Sequence, residues 1–162
     1  MSRRAWAICL GLAILPTQAL ASPFDQGNIR IALGGGTSVG FGSHYFVIGA
    51  GVGYFVMDGW EVAVDSPFWL GESPFVSQLS PSTTYYFHWL PVVHPYTGVF
   101  YRHWFVGDDI DDIDTLGFRV GAVFTASTNF YAGGGVVYES VVSECDENCT
   151  DVYPEFRVGL SF

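Results

Sequence analysis

The residues able to do chemistry fall into a few groups. Four arginines (Arg30, Arg102, Arg119, Arg157) and four acids (Glu61, Asp65, Glu139, Glu155) stand in segments that otherwise alternate apolar with small residues. Charges of opposite sign in equal number can pair and cross-link an interior, or line a path for ions. A second group is purely acidic: Asp108, Asp109, Asp111, Asp112 and Asp114 in one stretch, and Glu144, Asp146, Glu147 and Asp151 in another. Calcium prefers carboxylate oxygens, but the spacing is not that of an EF-hand and the central glycine is missing. Solvated charge that keeps a loop extended is the commoner origin of such runs.

Acyl-transfer chemistry needs a nucleophile, a base and an orienting acid. His103 with Asp108, or Ser43 beside His44, offers fragments of that set. No His-x-Ser pattern accompanies them, and His88 and His94 belong to a separate connection. The expectation is therefore no catalytic residue, no cofactor and no enzyme. Cys145 and Cys149 flank Asp146-Glu147-Asn148. In an oxidising compartment such a close pair reads as a loop disulfide, worth about 2 kcal/mol for so small a ring. A metal site is the alternative, weakened by the absence of histidine from the tract.

Which of these chemistries operates depends on the elements that carry the residues. The chain has 162 residues, 49% hydrophobic, 17% aromatic and 14% charged, and all 6 basic residues are arginine. That composition excludes intrinsic disorder, and a net charge of −10 excludes an ordinary nucleic-acid partner. Arg3 and Arg4, the apolar run Ala5 to Leu15 and Ala19-Leu20-Ala21 read as a secretory signal peptide over 1–21, cleaved after Ala21. The run is too short for a spanning helix, and Pro16 interrupts it. A single domain over 22–162 remains, with four arginines against all 16 acids.

Along that domain, segments of about ten residues alternate at a two-residue period between turn signals. They predict strands over 28–36, 44–56, 60–66, 77–87, 95–105, 116–125, 129–141 and 153–162. Eight is even, as an antiparallel up-and-down barrel with both termini at one end requires. The connections 57–59, 88–94 and 126–128 read as short turns, and 37–43, 67–76, 106–115 and 142–152 as long loops at the opposite rim.

One face of these strands is apolar, as in Ile29, Ile31, Leu33, then Phe46, Ile48, Val52, Tyr54, then Leu116, Phe118, Val120, with no charged residue expected on it. The other carries all eight charges named above, with glycines and aromatics between them: Gly51, Gly53, Gly121, Phe55, Tyr86, Phe100, Tyr131. A water-soluble barrel would place the polar face in solvent, where lysine and glutamate abound and glycine is scarce. A glycine-rich face with balanced charge looks instead like a lumen, with the apolar face turned to lipid. Trp60, Phe87, Trp89, Phe124, Phe130 and Phe162 are expected as one aromatic girdle, and Phe68, Trp69, Trp104, Phe105 and Tyr138 as the other.

The chain resembles the small outer-membrane β-barrel family, the OmpA-like and OmpW-like eight-stranded proteins. The matching features are Gly51-Val52-Gly53-Tyr54-Phe55-Val56 running through Met57-Asp58-Gly59 into Trp60-Glu61-Val62, the alternation Gly117-Phe118-Arg119-Val120-Gly121, and a terminus alternating Phe156, Val158, Leu160, Phe162. The resemblance implies residence in the outer membrane of a Gram-negative bacterium, among lipid and lipopolysaccharide. It also implies that the terminal pattern is an assembly signal read by the barrel-assembly machinery. The match departs from full OmpA-like proteins at the end of the barrel region, and no grip on peptidoglycan is expected. The resulting expectation is a polar, cross-linked lumen with a structural or surface-interaction role, an extracellular ligand being met through the acidic loops. A narrow channel or transporter for small or hydrophobic solutes is the alternative, and an outer-leaflet lipid-modifying enzyme a remoter one.

Overall fold

A computed structural model describes residues 22–40, 43–71, 75–107, 111–143 and 149–162, with the backbone alone over 34–40 and 43–45. The signal segment 1–21, Asp108, Asp109, Glu144, Cys145, Asp146 and Glu147 lie outside the described residues.

Eight antiparallel strands close into a barrel in chain order. They are β1 (Ile29–Gly40), β2 (Ser43–Met57), β3 (Trp60–Gly71), β4 (Val76–Tyr86), β5 (Val93–Val106), β6 (Ile113–Thr125), β7 (Phe130–Val141) and β8 (Thr150–Ser161). Strand lengths run from 11 to 15 residues, enough for the roughly 9–11 that a tilted strand needs to cross a bilayer core. Among the described residues no helix is long and apolar enough to do so.

The two-residue period sorts the side chains as the sequence predicts. Ile31, Val52, Val62, Val99, Phe118, Val136 and Leu160 are exposed on the outside; Arg30, Glu61, Tyr86, Phe100, Arg119 and Tyr131 are buried inside. With eight strands the interior is just wide enough for side chains to fill. Glycine on the inner face therefore decides which large side chains fit. A Cβ on Gly117 would run into the Phe100 ring, and one on Gly159 into the Tyr131 ring. Gly117→Val should cost the barrel about 1–3 kcal/mol through overpacking. A lowered unfolding midpoint in urea, with vesicle-embedded protein, is the measurement. An unchanged midpoint would mean that the lumen is loosely packed there.

At the end bearing both described chain ends, β2 and β3 are joined by Asp58-Gly59. Gly59 has φ of 75°, a left-handed conformation that only glycine adopts cheaply.

Three expectations fail. The stretch 67–76 is mostly strand: β3 continues through Pro67, Phe68 and Trp69 to Gly71, paired to Gly49, Ile48, Val47 and Tyr45. The stretch 37–43 is likewise mostly ladder, with Gly40 opposite Ser43. Turn-forming residues mark these stretches as loops, but the pairing continues through them because a neighbouring strand supplies the hydrogen bonds. The contrast between long and short rims is weaker for it. Second, the outer face is not free of charge, because β5 and β6 pair as far as Trp104 opposite Ile113 and so include His103 opposite Asp114, both of outward parity. Third, Trp69 and Trp104 point inward and meet edge to face at 5.3 Å. Their parity matches Asp65 and Arg102, so they cap the lumen instead of joining the lipid girdle.

The β1–β8 seam differs from the other seven. Its register comprises Arg30↔Ser161, Ile31↔Leu160 and Ala32↔Gly159, with Ile29 and Phe162 exchanging backbone hydrogen bonds at 2.8 and 3.0 Å. Every other neighbouring pair is laddered over most of its length.

Candidate functional site

All eight lumen charges face one another across the interior, in three groups along the barrel axis. Nearest the chain ends, Arg30 donates through Nε to Glu61 and through Nη2 to Asp65 Oδ1 at 3.0 Å. Glu61 also accepts from the Tyr86 hydroxyl at 3.2 Å and lies 3.7 Å from Arg157 Nη2. Glu61 is fully buried, and Arg30 and Arg157 nearly so. Midway, Glu155 accepts from Tyr96 Oη at 2.8 Å, and Arg119 Nη1 stands 3.6 Å from it. Towards the far mouth, Arg102 Nη1 donates to Glu139 at 2.8 Å and to Tyr153 Oη at 3.0 Å. Glu139 takes further hydrogen bonds from Tyr153 and Thr115.

Aromatic rings complete these groups. The guanidinium carbons of Arg119 and Arg102 sit 4.4 and 4.7 Å from the centre of Phe100, and Arg157 stands 5.3 Å from Tyr96. Cation–π attraction of this kind is strongest where water is excluded. Such charges tolerate burial only while paired and hydrogen-bonded.

Sequence reasoning misses the closure at the near end. Residues 22–28 fold back across the mouth and insert Phe24, which is 1% exposed. Its ring stacks on Tyr86 at 4.6 Å and meets Tyr131 at 5.1 Å, His94 at 4.8 Å and Phe55 at 5.9 Å. The segment is tied down by Gly59 N to Phe24 O at 2.8 Å, Ser161 Oγ to Pro23 O at 2.6 Å and Gln26 N to Asp58 Oδ1 at 2.8 Å. No periodicity announces a single buried ring ahead of the first strand. The only hint is a large apolar residue in a stretch otherwise made of turn formers.

Among the described residues the acid–histidine fragments do not assemble into an acyl-transfer set. His103 meets Asp114 at 2.6 Å through Nδ1 and Asp112 at 3.4 Å through Nε2, while Asp108 lies outside the described residues. The Tyr101 hydroxyl donates to the same Asp114. Asp112 also accepts from Val106 N at 3.1 Å. Asp111, Asp112 and Asp114 do not converge on a cation position among the described residues. The side chains of Ser43 and His44 are outside what is described.

The lumen also holds a cavity of about 190 Å³, lined by all four lumen arginines together with Asp65 and Glu155. Its lining extends to Leu33, Phe156 and Val158, residues of outward parity on β1 and β8. The cavity thus reaches the outer surface at the loosely paired seam.

No protein-family model matches the sequence, and no curated protein is similar to it in sequence. The fold is that of small outer-membrane barrels. It is similar to the N-terminal β-barrel domain of Pseudomonas aeruginosa OprF, with TM-score 0.63 and 18% identity over 85% of this chain and 98% of that one. It is also similar to the outer membrane protein OprG of Pseudomonas aeruginosa, with TM-score 0.50 and 15% identity over 87% of this chain and 99% of that one.

Proposed function

We propose that this chain is an integral outer-membrane barrel of a Gram-negative bacterium, exported with a cleaved signal peptide. In this reading its lumen is closed by ion pairs, and its role is structural or surface-interacting. The observation that carries the proposal is the inverted sorting of side chains. Leu33 is 68% exposed and Val52 55% on the outside, whereas Arg30 is 3% exposed and Glu61 not at all. In water this arrangement hides the charges of the lumen and exposes the oil of the wall. In hydrocarbon it is the favourable one, and the ladders between the strands satisfy most of the wall's backbone. The partners are lipid and lipopolysaccharide on the outer wall, and the barrel-assembly machinery at Phe156, Val158, Leu160 and Phe162, all exposed. The acidic stretches around Asp111 and Asp151, with a Cys145–Cys149 bridge closing the second, form the surface offered to an extracellular ligand. Cleavage after Ala21 would make Ser22 N an ammonium group 2.8 Å from Asp25 Oδ2, locking the plug segment once export is complete.

The test is fractionation followed by reconstitution. The protein should sediment with outer membranes and require detergent for extraction. Its compact form should run faster on unheated gels and show no steady large conductance in planar bilayers. A well-behaved aqueous monomer obtained without detergent would end this reading. A second reading, a narrow passage for small or hydrophobic solutes, is favoured by one observation only: the cavity that reaches the wall at the β1–β8 seam.

A further inference from the structure

We infer that the β1–β8 seam is a lateral port through which the lumen arginines bind the anionic headgroup of a single-chain amphiphile while its tail stays in the bilayer. The inference rests on the membrane-barrel reading and goes beyond it by naming a site and a ligand class. Three independent features of the wall and lumen meet at this place.

The first is the seam. Beyond Ala32↔Gly159, β1 and β8 continue as strands to Gly40 and back to Thr150, but the described register between them stops there. Both strands are fully laddered on their other sides. In hydrocarbon an edge of free N–H and C=O groups is expensive, so a seam at this height favours an occupant that brings polar atoms with it. Large apolar side chains stand exposed at its lips: Phe156 is 89% exposed and Leu33 68%, against 46% for Val158.

The second feature is the incomplete pairing of the donors behind the seam. Arg30 and Arg102 each make direct hydrogen bonds to carboxylates. Arg119 and Arg157 do not: their carboxylates stand at 3.6 and 3.7 Å. Arg119 Nε and Arg157 Nη1 are buried without a protein hydrogen-bond partner, as is Arg102 Nε. Arg119 and Arg157 are 6% and 8% exposed. A buried donor left unpaired costs far more when it is charged, and a phosphate or carboxylate supplies several charge-assisted acceptors at once.

The third is the space. The cavity of about 190 Å³ touches both arginines and both lips of the seam. It exceeds the ~150 Å³ that accommodates a benzene ring in an engineered protein cavity, so a small headgroup fits where two acyl chains would not. A cation is disfavoured there, since the unpartnered atoms are all donors. The bulk of the outer surface is apolar, so the seam is reached from the hydrocarbon and not from water.

The experiment titrates purified, folded barrel in neutral maltoside micelles with dodecyl phosphate, and separately with inorganic phosphate, by calorimetry and native mass spectrometry. One dodecyl phosphate should bind per barrel. Arg119→Gln should weaken it about tenfold or more, the worth of losing a charge-assisted hydrogen bond. Because Arg119→Gln can also loosen the fold, a second variant carries Leu33→Cys with Val158→Cys. Oxidised, it staples the seam shut and should lose the ligand; reduced, the same polypeptide should regain it. Inorganic phosphate binding equally well, with no effect of the staple, would assign the arginines to a free anion arriving along the lumen and overturn the lateral port. No binding of either probe to a barrel that still needs detergent would overturn the site and leave the membrane reading standing. A protein needing no detergent would remove the premise itself.

Discussion

Glu61→Ala should destabilise the folded barrel by about 3–5 kcal/mol, the cost of breaking a buried ion pair from one side. Glu61 is fully buried and serves Arg30, Arg157 and Tyr86 together. Its removal leaves Arg30 with Asp65 alone and takes from Arg157 the carboxylate 3.7 Å away. Glu61→Gln separates the two parts of that effect, since it keeps the shape and an acceptor for Tyr86 but loses the charge. It should fall between wild type and Glu61→Ala. Urea unfolding in lipid vesicles, or the temperature at which the compact gel band is lost, gives the comparison. A loss below about 1 kcal/mol would place Glu61 in the range of solvated surface pairs and would mean that water fills the lumen.

Phe24→Ala should cost about 3–5 kcal/mol, as burying and then deleting an aromatic ring in a packed site does. The ring touches Tyr86, Tyr131, Phe55 and His94 and belongs to a cluster of buried apolar side chains with Tyr96 and Val123. Despite that cost the single variant should remain closed to ions, because Arg30, Glu61 and Asp65 still bridge the barrel above it. Only the double variant with Glu61→Ala should give discrete conductance steps in planar bilayers. Conductance from Phe24→Ala alone would make the plug the sole barrier and the ion pairs mere lining. Silence from the double variant would move the constriction up to Trp69, Trp104 and Arg102.

Much of this lumen is legible in the order of the amino acids. Alternation at period two puts Arg30, Glu61, Asp65, Arg102, Arg119, Glu139, Glu155 and Arg157 on one face, because successive strand side chains point to opposite sides. The same rule sets Trp69 and Trp104 inward, and banding by position alone misplaces them among the lipid-facing aromatics. Strand ends are the weak point. Thr37 to Gly40 and Pro67 to Trp69 look like loop, yet neighbouring strands hold them in the ladder, and that is a property of the partner strand. His103 and Asp114 meet on the outer face for the same reason, since β6 starts three residues earlier than its apolar pattern does.

The chain by itself determined the barrel class and the inside–outside sorting, since both follow from local periodicity and from the free energy of moving each side-chain type between oil and water. Tertiary structure alone decided which arginine meets which carboxylate, that Phe24 stoppers one mouth, and that the first and last strands part above Ala32. Those outcomes depend on closure, shear and the depth at which residues far apart in the chain arrive at the same level, and no local window contains that information.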